Sequence, residues 1–392
     1  MYILARICYI RQMKFEELAK AFTLKELPES EIEITGDVPA DMVNEYKDAA
    51  LMHIAGEIDL PGFRKGHVPP EVAAKKVGEL AVLEESIELF VKDFYPELVE
   101  IKKIEAVGRP DIRITKLAPG QAASLVIRAA VYPVVTLPKN WKDIEKGIKL
   151  EEAQPATDAE VQQTIDSLLK ARAVPPTLTE AEVAEGKKAE GVLPELTDEF
   201  AKSLGAFDSV AHLKEMIQKG IGEEKVRAQK DARRAKIIDE LLKDTTVAVP
   251  AVFVESELDK IMSQMQEDVT RFGMTFEDYL KQSSKTEEGV RNDFREQAAK
   301  RAKLQLTLNK IATDASIEAD KEEADAEMKH AIEHFPEANM ALLRIHIETV
   351  LRNEKTLQLL EGNPNPKNEP VVNNHNHEGG HEGHDHYKVD EL

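Results

Sequence analysis

The sequence predicts an α+β domain followed by a mostly α-helical one, and three observations carry that expectation. Glu31-Ile32-Glu33-Ile34-Thr35-Gly36 alternates polar and apolar residues with a period of two, the pattern of a half-buried strand. Asp111 to Thr115 and Ala123 to Tyr132, separated by Pro119-Gly120, read as a strand pair. Beyond Thr157 the apolar residues recur almost wholly at helical spacing.

The elements follow in order. Gly36-Asp37 ends the first strand, and Pro39 stands where a first helical turn tolerates proline. Met42, Tyr46, Ala49, Ala50, His53 and Ile54 then keep helical spacing up to Leu60. After Pro69-Pro70 one long helix is expected, carrying Val72, Val77, Leu80, Leu83, Ile87, Phe90, Val91 and Phe94 and running to Pro96. Thr157-Asp158 caps a helix with Val161, Ile165, Leu168 and Leu169, which Pro175-Pro176 stops. Five further helices are expected near 209–243, 250–272, 286–313, 320–334 and 338–361. The second begins at Pro250 and ends at Gly273. Asp320-x-x-Glu323 is a capping box with Asp in place of Ser or Thr.

The domain division expected is a 1–23 extension, a 24–137 α+β domain and a 138–175 linker with its helix. A short linker at 176–192, a helical domain at 193–362 and a disordered His-rich tail at 363–392 complete it.

Composition bounds the function. With 42% hydrophobic and 32% charged residues the chain has material for packed cores. Aromatic residues make up only 5%, so apolar surfaces are built mainly from aliphatics and Met, which adapt to varied partners. A single Cys8 excludes an intramolecular disulfide and a cysteine zinc site and favours a reducing compartment, read as the cytosol. A formal net charge of −21 disfavours general nucleic-acid binding, because phosphate neutralisation needs a basic field. The opening stretch is interrupted by Arg6 and Arg11 and makes a poor secretion signal. Met13 begins a more ordinary polar stretch, so the first twelve residues are expected to stem from an upstream start codon.

Against that acidic background, Pro61-Gly62-Phe63-Arg64-Lys65-Gly66-His67-Val68-Pro69 is a compact basic loop with an aromatic tip. Gly62 and Gly66 permit a tight exposed turn. Arg64 offers a planar fork to phosphate or carboxylate, Lys65 a point charge, and Phe63 an apolar anchor. The loop resembles the ribosome-binding signature of the trigger factor family of nascent-chain chaperones. Val131-Tyr132-Pro133-Val134-Val135-Thr136-Leu137, Pro155-Ala156-Thr157-Asp158-Ala159-Glu160-Val161 and Leu193-Pro194-Glu195-Leu196-Thr197-Asp198-Glu199-Phe200 resemble later segments of that family, in the family's order.

The resemblance implies an α+β ribosome-binding domain, a helical chaperone domain with arms, and ribosome contact through Gly62, Phe63, Arg64, Lys65 and Gly66. It implies partners in the large ribosomal subunit near the tunnel exit and in nascent or unfolded polypeptides, but not in DNA or a membrane; a homodimer of the free chain is left open. Client contact is assigned to Met262, Met265, Met274, Met328, Met340, Leu343 and Ile347, with an ordinary helix core as the competing reading. The family also carries an FKBP-type prolyl isomerase domain of roughly a hundred residues. Here only residues 176–192 fill that interval, so isomerase activity is not carried over, no residue is assigned a catalytic role, and no cofactor is required.

Two other patterns compete. His330-Ala331-Ile332-Glu333-His334 matches the H-x-x-E-H zinc-hydrolase pattern, but it lies in an amphipathic helix and reads as a solvated face. His375, His377, His381, His384 and His386 form either a solubilising tail or a loose nickel, zinc or copper chelator, the latter as in a free cytosolic holdase or metal-buffering protein that never docks.

Overall fold

The structure, a computed structural model, describes residues 2–61, 63–64, 66–149, 154–173, 193–205 and 207–363, with residues 2–10 as backbone only. It divides into two compact units, one of residues 1–136 with 245–310 and one of 137–244 with 311–392. The division cuts across the expected helical domain. Periodicity along the chain carries no information about which distant segments share a core.

In the first unit, helix α1 (Tyr2–Ala21) leads into strands β1 (Thr23–Leu27) and β2 (Glu31–Val38). Helices α2 (Ala40–Asn44), α3 (Lys47–Glu57), α4 (Pro70–Val77) and α5 (Glu79–Lys102) come next, then β3 (Ala106–Lys116) and β4 (Ala123–Val131). The four strands form an antiparallel sheet in the order β1-β2-β4-β3, with Ile34 opposite Ile127 and Ile127 opposite Ile112. Alternation puts Ile32, Ile34, Leu125 and Ile127 on the buried face. Helix α5 covers it with Ile87, Phe90, Val91, Phe94 and Leu98, all buried at helical spacing.

Residues 15–22, expected outside the domain, supply part of this core. Phe15 packs edge-on against Phe90 and Phe94, with ring centroids 5.7 and 5.3 Å apart, and Phe22 lies 5.2 Å from Phe94. A Cβ at Gly36 would stand 2.5 Å from the Phe22 ring, so only glycine fits beneath it. Arg11, within the stretch assigned to an upstream start, pairs with Asp93 and hydrogen-bonds Tyr46. Burial, ahead of the neighbouring charges, pushes the Tyr46 hydroxyl up to about 12.

The long helix expected after Pro70 is two. Gly78, at φ +88°, breaks it, and α5 then runs through Pro96 to Lys102. Pro96 is exposed while Phe94 and Leu98 are fully buried, so burial of the inner face outweighs one lost hydrogen bond on the outer.

In the second unit, α6 (Asp158–Ala171), α7 (Asp198–Ser203) and α8 (Val210–Asp244) occupy the first segment. Helices α9 (Ala251–Arg271), α10 (Phe276–Ser283) and the early part of α11 (Glu287–Asp314) return to the first unit, and α12 (Lys321–His334) and α13 (Met340–Leu360) complete the second. Thr157 forms a full capping box with Glu160 at the start of α6. Asp320 accepts from Glu322 N and Glu323 N at the start of α12, but Glu323 Oε2 is buried without a partner, so the reciprocal half of the expected box is not made. Arg234 on α8 forms two 2.9 Å hydrogen bonds to Glu354 of α13 and also pairs with Glu361.

Lys225 of α8 donates to Glu160 Oε2 at 2.7 Å and to Pro155 O at 3.2 Å. That bond first, then the Thr157 N–H and hydroxyl, holds the Glu160 carboxyl down to about 2. A depressed carboxylate stabilises the fold above its unfolded pKa and loses that contribution as pH falls through the folded value. The destabilisation caused by Glu160→Gln, measured by urea denaturation, is therefore full above pH 4.5 and disappears as pH falls towards 2.

Candidate functional site

Two surfaces of the first unit expose aromatic side chains to solvent. The first is the loop between α3 and α4. A small core of Ala55, Val68 and Ala73, flanked by Ile54, Ile58 and Leu60, joins the two helices beneath it. Phe63 N donates to Leu60 O at 3.1 Å and His67 N to Arg64 O at 2.9 Å. Gly66 turns the chain at φ +80°, a conformation that favours glycine. Phe63 is 41% exposed and Arg64 is exposed at the tip. Gly62 and Lys65 lie outside the described residues.

The second surface is a groove of about 540 Å³ where α9, α10 and α11 meet. Its wall is Ile261, Met265, Val269, Met274, Tyr279 and Phe294, its rim Gln264, Asp268, Gln297 and Arg301. Phe272 stands at the edge, 87% exposed, because Gly273 reverses the chain immediately after it. Buried Leu258, Ile261 and Ala298 hold α9 to α11. Glu255 adds bonds to Arg291 and Arg295 at 2.9 and 2.8 Å, and Asp259 one to Arg291 at 2.7 Å. The bond from Arg291 holds the Glu255 carboxyl below the usual carboxylate range.

The seven residues assigned to client contact separate. Met265 and Met274 line this groove. Met262 and Leu343 are buried and belong to cores, as the competing reading of helical stripes holds. Met340 is 39% exposed, and Met328 and Ile347 are half-buried. Phe272 and the exposed Ile345 are not among the seven; Phe272 stands three residues past Val269 at the C-cap of α9, where the helical stripe ends.

His330, Glu333 and His334 are exposed on α12, with the imidazole centroids 4.8 Å apart. Among the described residues no group of three or more His, Cys, Asp or Glu side chains is placed to hold a metal, so the zinc-hydrolase pattern finds no further ligand there. The tail histidines at 375, 377, 381, 384 and 386 lie outside the described residues. No described helix is long and apolar enough to cross a membrane.

The chain combines an α+β sheet domain, with a basic loop at 61–69, and a helical element with an apolar groove. Two sequence models of one family match it: the bacterial trigger factor protein over residues 20–168 and the trigger factor C-terminus over residues 209–360. The chain belongs to the trigger factor family. It is 25% identical to the trigger factor of Macrococcus caseolyticus over 77% of this chain and 88% of that one. It is likewise 25% identical to that of Caldanaerobacter subterraneus over 80% and 89%. A solved chain from a study of promiscuous substrate recognition by the trigger factor chaperone aligns with 87% of this chain and 99% of its own, at 19% identity and a TM-score of 0.48.

The alignment to the Macrococcus relative has 380 positions yet spans only 77% of these 392 residues, so it includes many positions occupied in the relative and absent here. Residues 169–208 separate the two family matches. A chaperone function accompanies membership of the family.

The division between core and surface methionines is measurable by chemical denaturation. Met262→Ala costs about 2–5 kcal/mol of stability, as buried truncations do. Phe272→Ser leaves stability within about 0.5 kcal/mol.

Proposed function

We propose that this chain is an ATP-independent, ribosome-associated chaperone that docks near the tunnel exit and shields emerging polypeptides in the cytoplasm. Family membership supports the chaperone role. The single observation that carries the docking role is the loop at 61–69: Phe63 and Arg64 are exposed on a base fixed by Ala55, Val68 and Ala73, in a chain of net charge −21. A cationic tip on so acidic a molecule selects an anionic partner.

Gly62 and Gly66 let the tip project, Phe63 enters an apolar pocket of the partner, and Arg64 with Lys65 neutralise phosphate. About two phosphate contacts give weak, reversible docking whose affinity falls about ten-fold between 50 and 200 mM salt. Replacing Phe63, Arg64 and Lys65 together by Ala abolishes co-sedimentation with ribosomes at low salt and leaves the circular dichroism spectrum intact. A triple variant that pellets as well as the parent chain would sink the docking role.

Clients are held by scattered apolar contacts, among them the groove of Met265, Val269, Phe272 and Met274, with its polar rim keeping the surface soluble. Burial of an apolar side chain of this size contributes about 1.5–3 kcal/mol. Met265→Ser with Phe272→Ser therefore raises, by about ten-fold or more, the concentration of this protein needed to suppress aggregation of a client diluted from denaturant.

Prolyl isomerisation plays no part in this mechanism. An apolar pocket that twists an X-Pro bond requires a β-rich domain of its own, and residues 176–192 are too few to form one. Addition of the protein leaves the cis–trans relaxation rate of a proline peptide at its uncatalysed value; acceleration would place an isomerase site elsewhere in the chain.

A further inference from the structure

A second groove, unconnected with client holding or the basic loop, lies in the second unit along one stripe of α8. Lys219, Gly222, Glu223, Val226, Arg227 and Lys230 recur at helical spacing and face Gln154 and Pro155 across about 550 Å³. From Lys219 to Lys236 this helix holds seven basic and three acidic residues, in a chain with 73 acidic and 52 basic ones. Several of those cations are engaged: Lys225 with Glu160, Arg234 with Glu354 and Glu361, and Arg233 with the carbonyls of Ile148 and Glu361. Lys219 reaches Glu223, the one carboxylate in the groove, at only 3.9 Å. Arg227 and Lys230 have no ion-pair partner among the described residues.

The floor is glycine. Gly222 lines it, and with Gly220, two residues earlier and outside the groove lining, it sits inside a 35-residue helix, where each is unfavourable relative to alanine. A Cβ at either position would meet nothing within 4 Å, so no close packing within the described chain requires their lack of a side chain. Val226 is 45% exposed over this floor, with Pro155 opposite.

We propose that this groove docks an acidic polypeptide segment punctuated by small apolar residues. Its carboxylates meet Arg227, Lys230 and Lys219, its backbone runs over the glycine floor, and its apolar side chains lie on Val226 and Pro155. Charge complementarity selects the acidic class. RNA is disfavoured because the lining offers no aromatic ring for a base to stack on and includes Glu223.

The test is fluorescence anisotropy on the full chain with a fluorescein-labelled peptide of alternating glutamate and valine, against the same peptide with glutamine for glutamate. The glutamate peptide binds and is weakened by salt, and the glutamine peptide binds about ten-fold more weakly or not at all. Arg227→Glu with Lys230→Glu abolishes binding. Gly222→Leu keeps every charge, raises the melting temperature because the site has space for a side chain, and occludes the groove, so it too removes binding. Phe272→Ser leaves peptide affinity unchanged, which separates this groove from client holding. Equal binding of the two peptides, undiminished binding by both groove variants, or displacement of the peptide by oligouridylate would overturn the proposal.

Discussion

The first unit depends on closing a chain that leaves it at Thr136 and returns at Thr245. Thr136 and Thr246 exchange both backbone hydrogen bonds, at 2.9 and 3.0 Å, as a single antiparallel bridge. Bringing together ends separated by more than a hundred residues costs about 4 kcal/mol of loop entropy. Two backbone bonds offset only about 1–3 kcal/mol of that. Burial around the bridge supplies the remainder: Val135 and Thr245 are buried, and Tyr132 meets Phe253 edge to face with centroids 6.1 Å apart. Ser30 donates to Ala248 O at 2.9 Å, and Val252 lies over Gly108, where a Cβ would come within 2.8 Å. The sheet domain and the grooved helices α9 to α11 thus form one body because of contacts around a two-residue pairing.

The second unit solves the same problem with charge. Its segments are joined by Arg234, whose guanidinium is shared between Glu354 and Glu361 and whose pKa is raised by those partners against its burial. Arg233 next to it donates to the carbonyls of Ile148 and Glu361. A half-buried fork of this kind tolerates loss of one partner badly, because the remaining charge stays desolvated. It therefore fixes which stretch of α13 faces α8 more sharply than the surrounding aliphatic contacts, which repack at small cost.

How much of this was legible follows from what each signal measures. Helical periodicity and caps placed α8, α9, α11, α12 and α13 within a residue or two of their observed ends, because a 3.6-residue stripe and a Thr, Asp or Asn cap are local facts. Strand β1 escaped because Thr23–Leu27 is an edge strand with nearly every residue exposed and no alternation to detect. Helix α10 escaped because eight residues span barely two turns. The core role of Phe15, Leu18 and Phe22 is a long-range fact, decided by α5 and the sheet. The exposure of Phe63 and Arg64 was legible for the opposite reason: a charged residue between glycines in a short loop has no core role.

The two surfaces of the first unit differ in rigidity for a physical reason. The loop rests on three small buried side chains, Ala55, Val68 and Ala73, whereas the sheet core behind it holds four phenylalanines and a dozen aliphatics. Local opening free energy scales with buried apolar contact, so the small core joining α3 to α4 opens more readily than the sheet core. The frame of the groove at Phe272 is held instead by Leu258, Ile261 and Ala298 and by the ion pairs of Glu255 with Arg291 and Arg295 near the start of α9, while its lining methionines are flexible thioethers that adapt in shape. A fixed frame with a deformable lining accommodates apolar groups of unlike shape. The Thr136–Thr246 closure keeps the 61–69 loop and the Phe272 groove in one compact unit, so a partner held at either surface lies on the same body as the other.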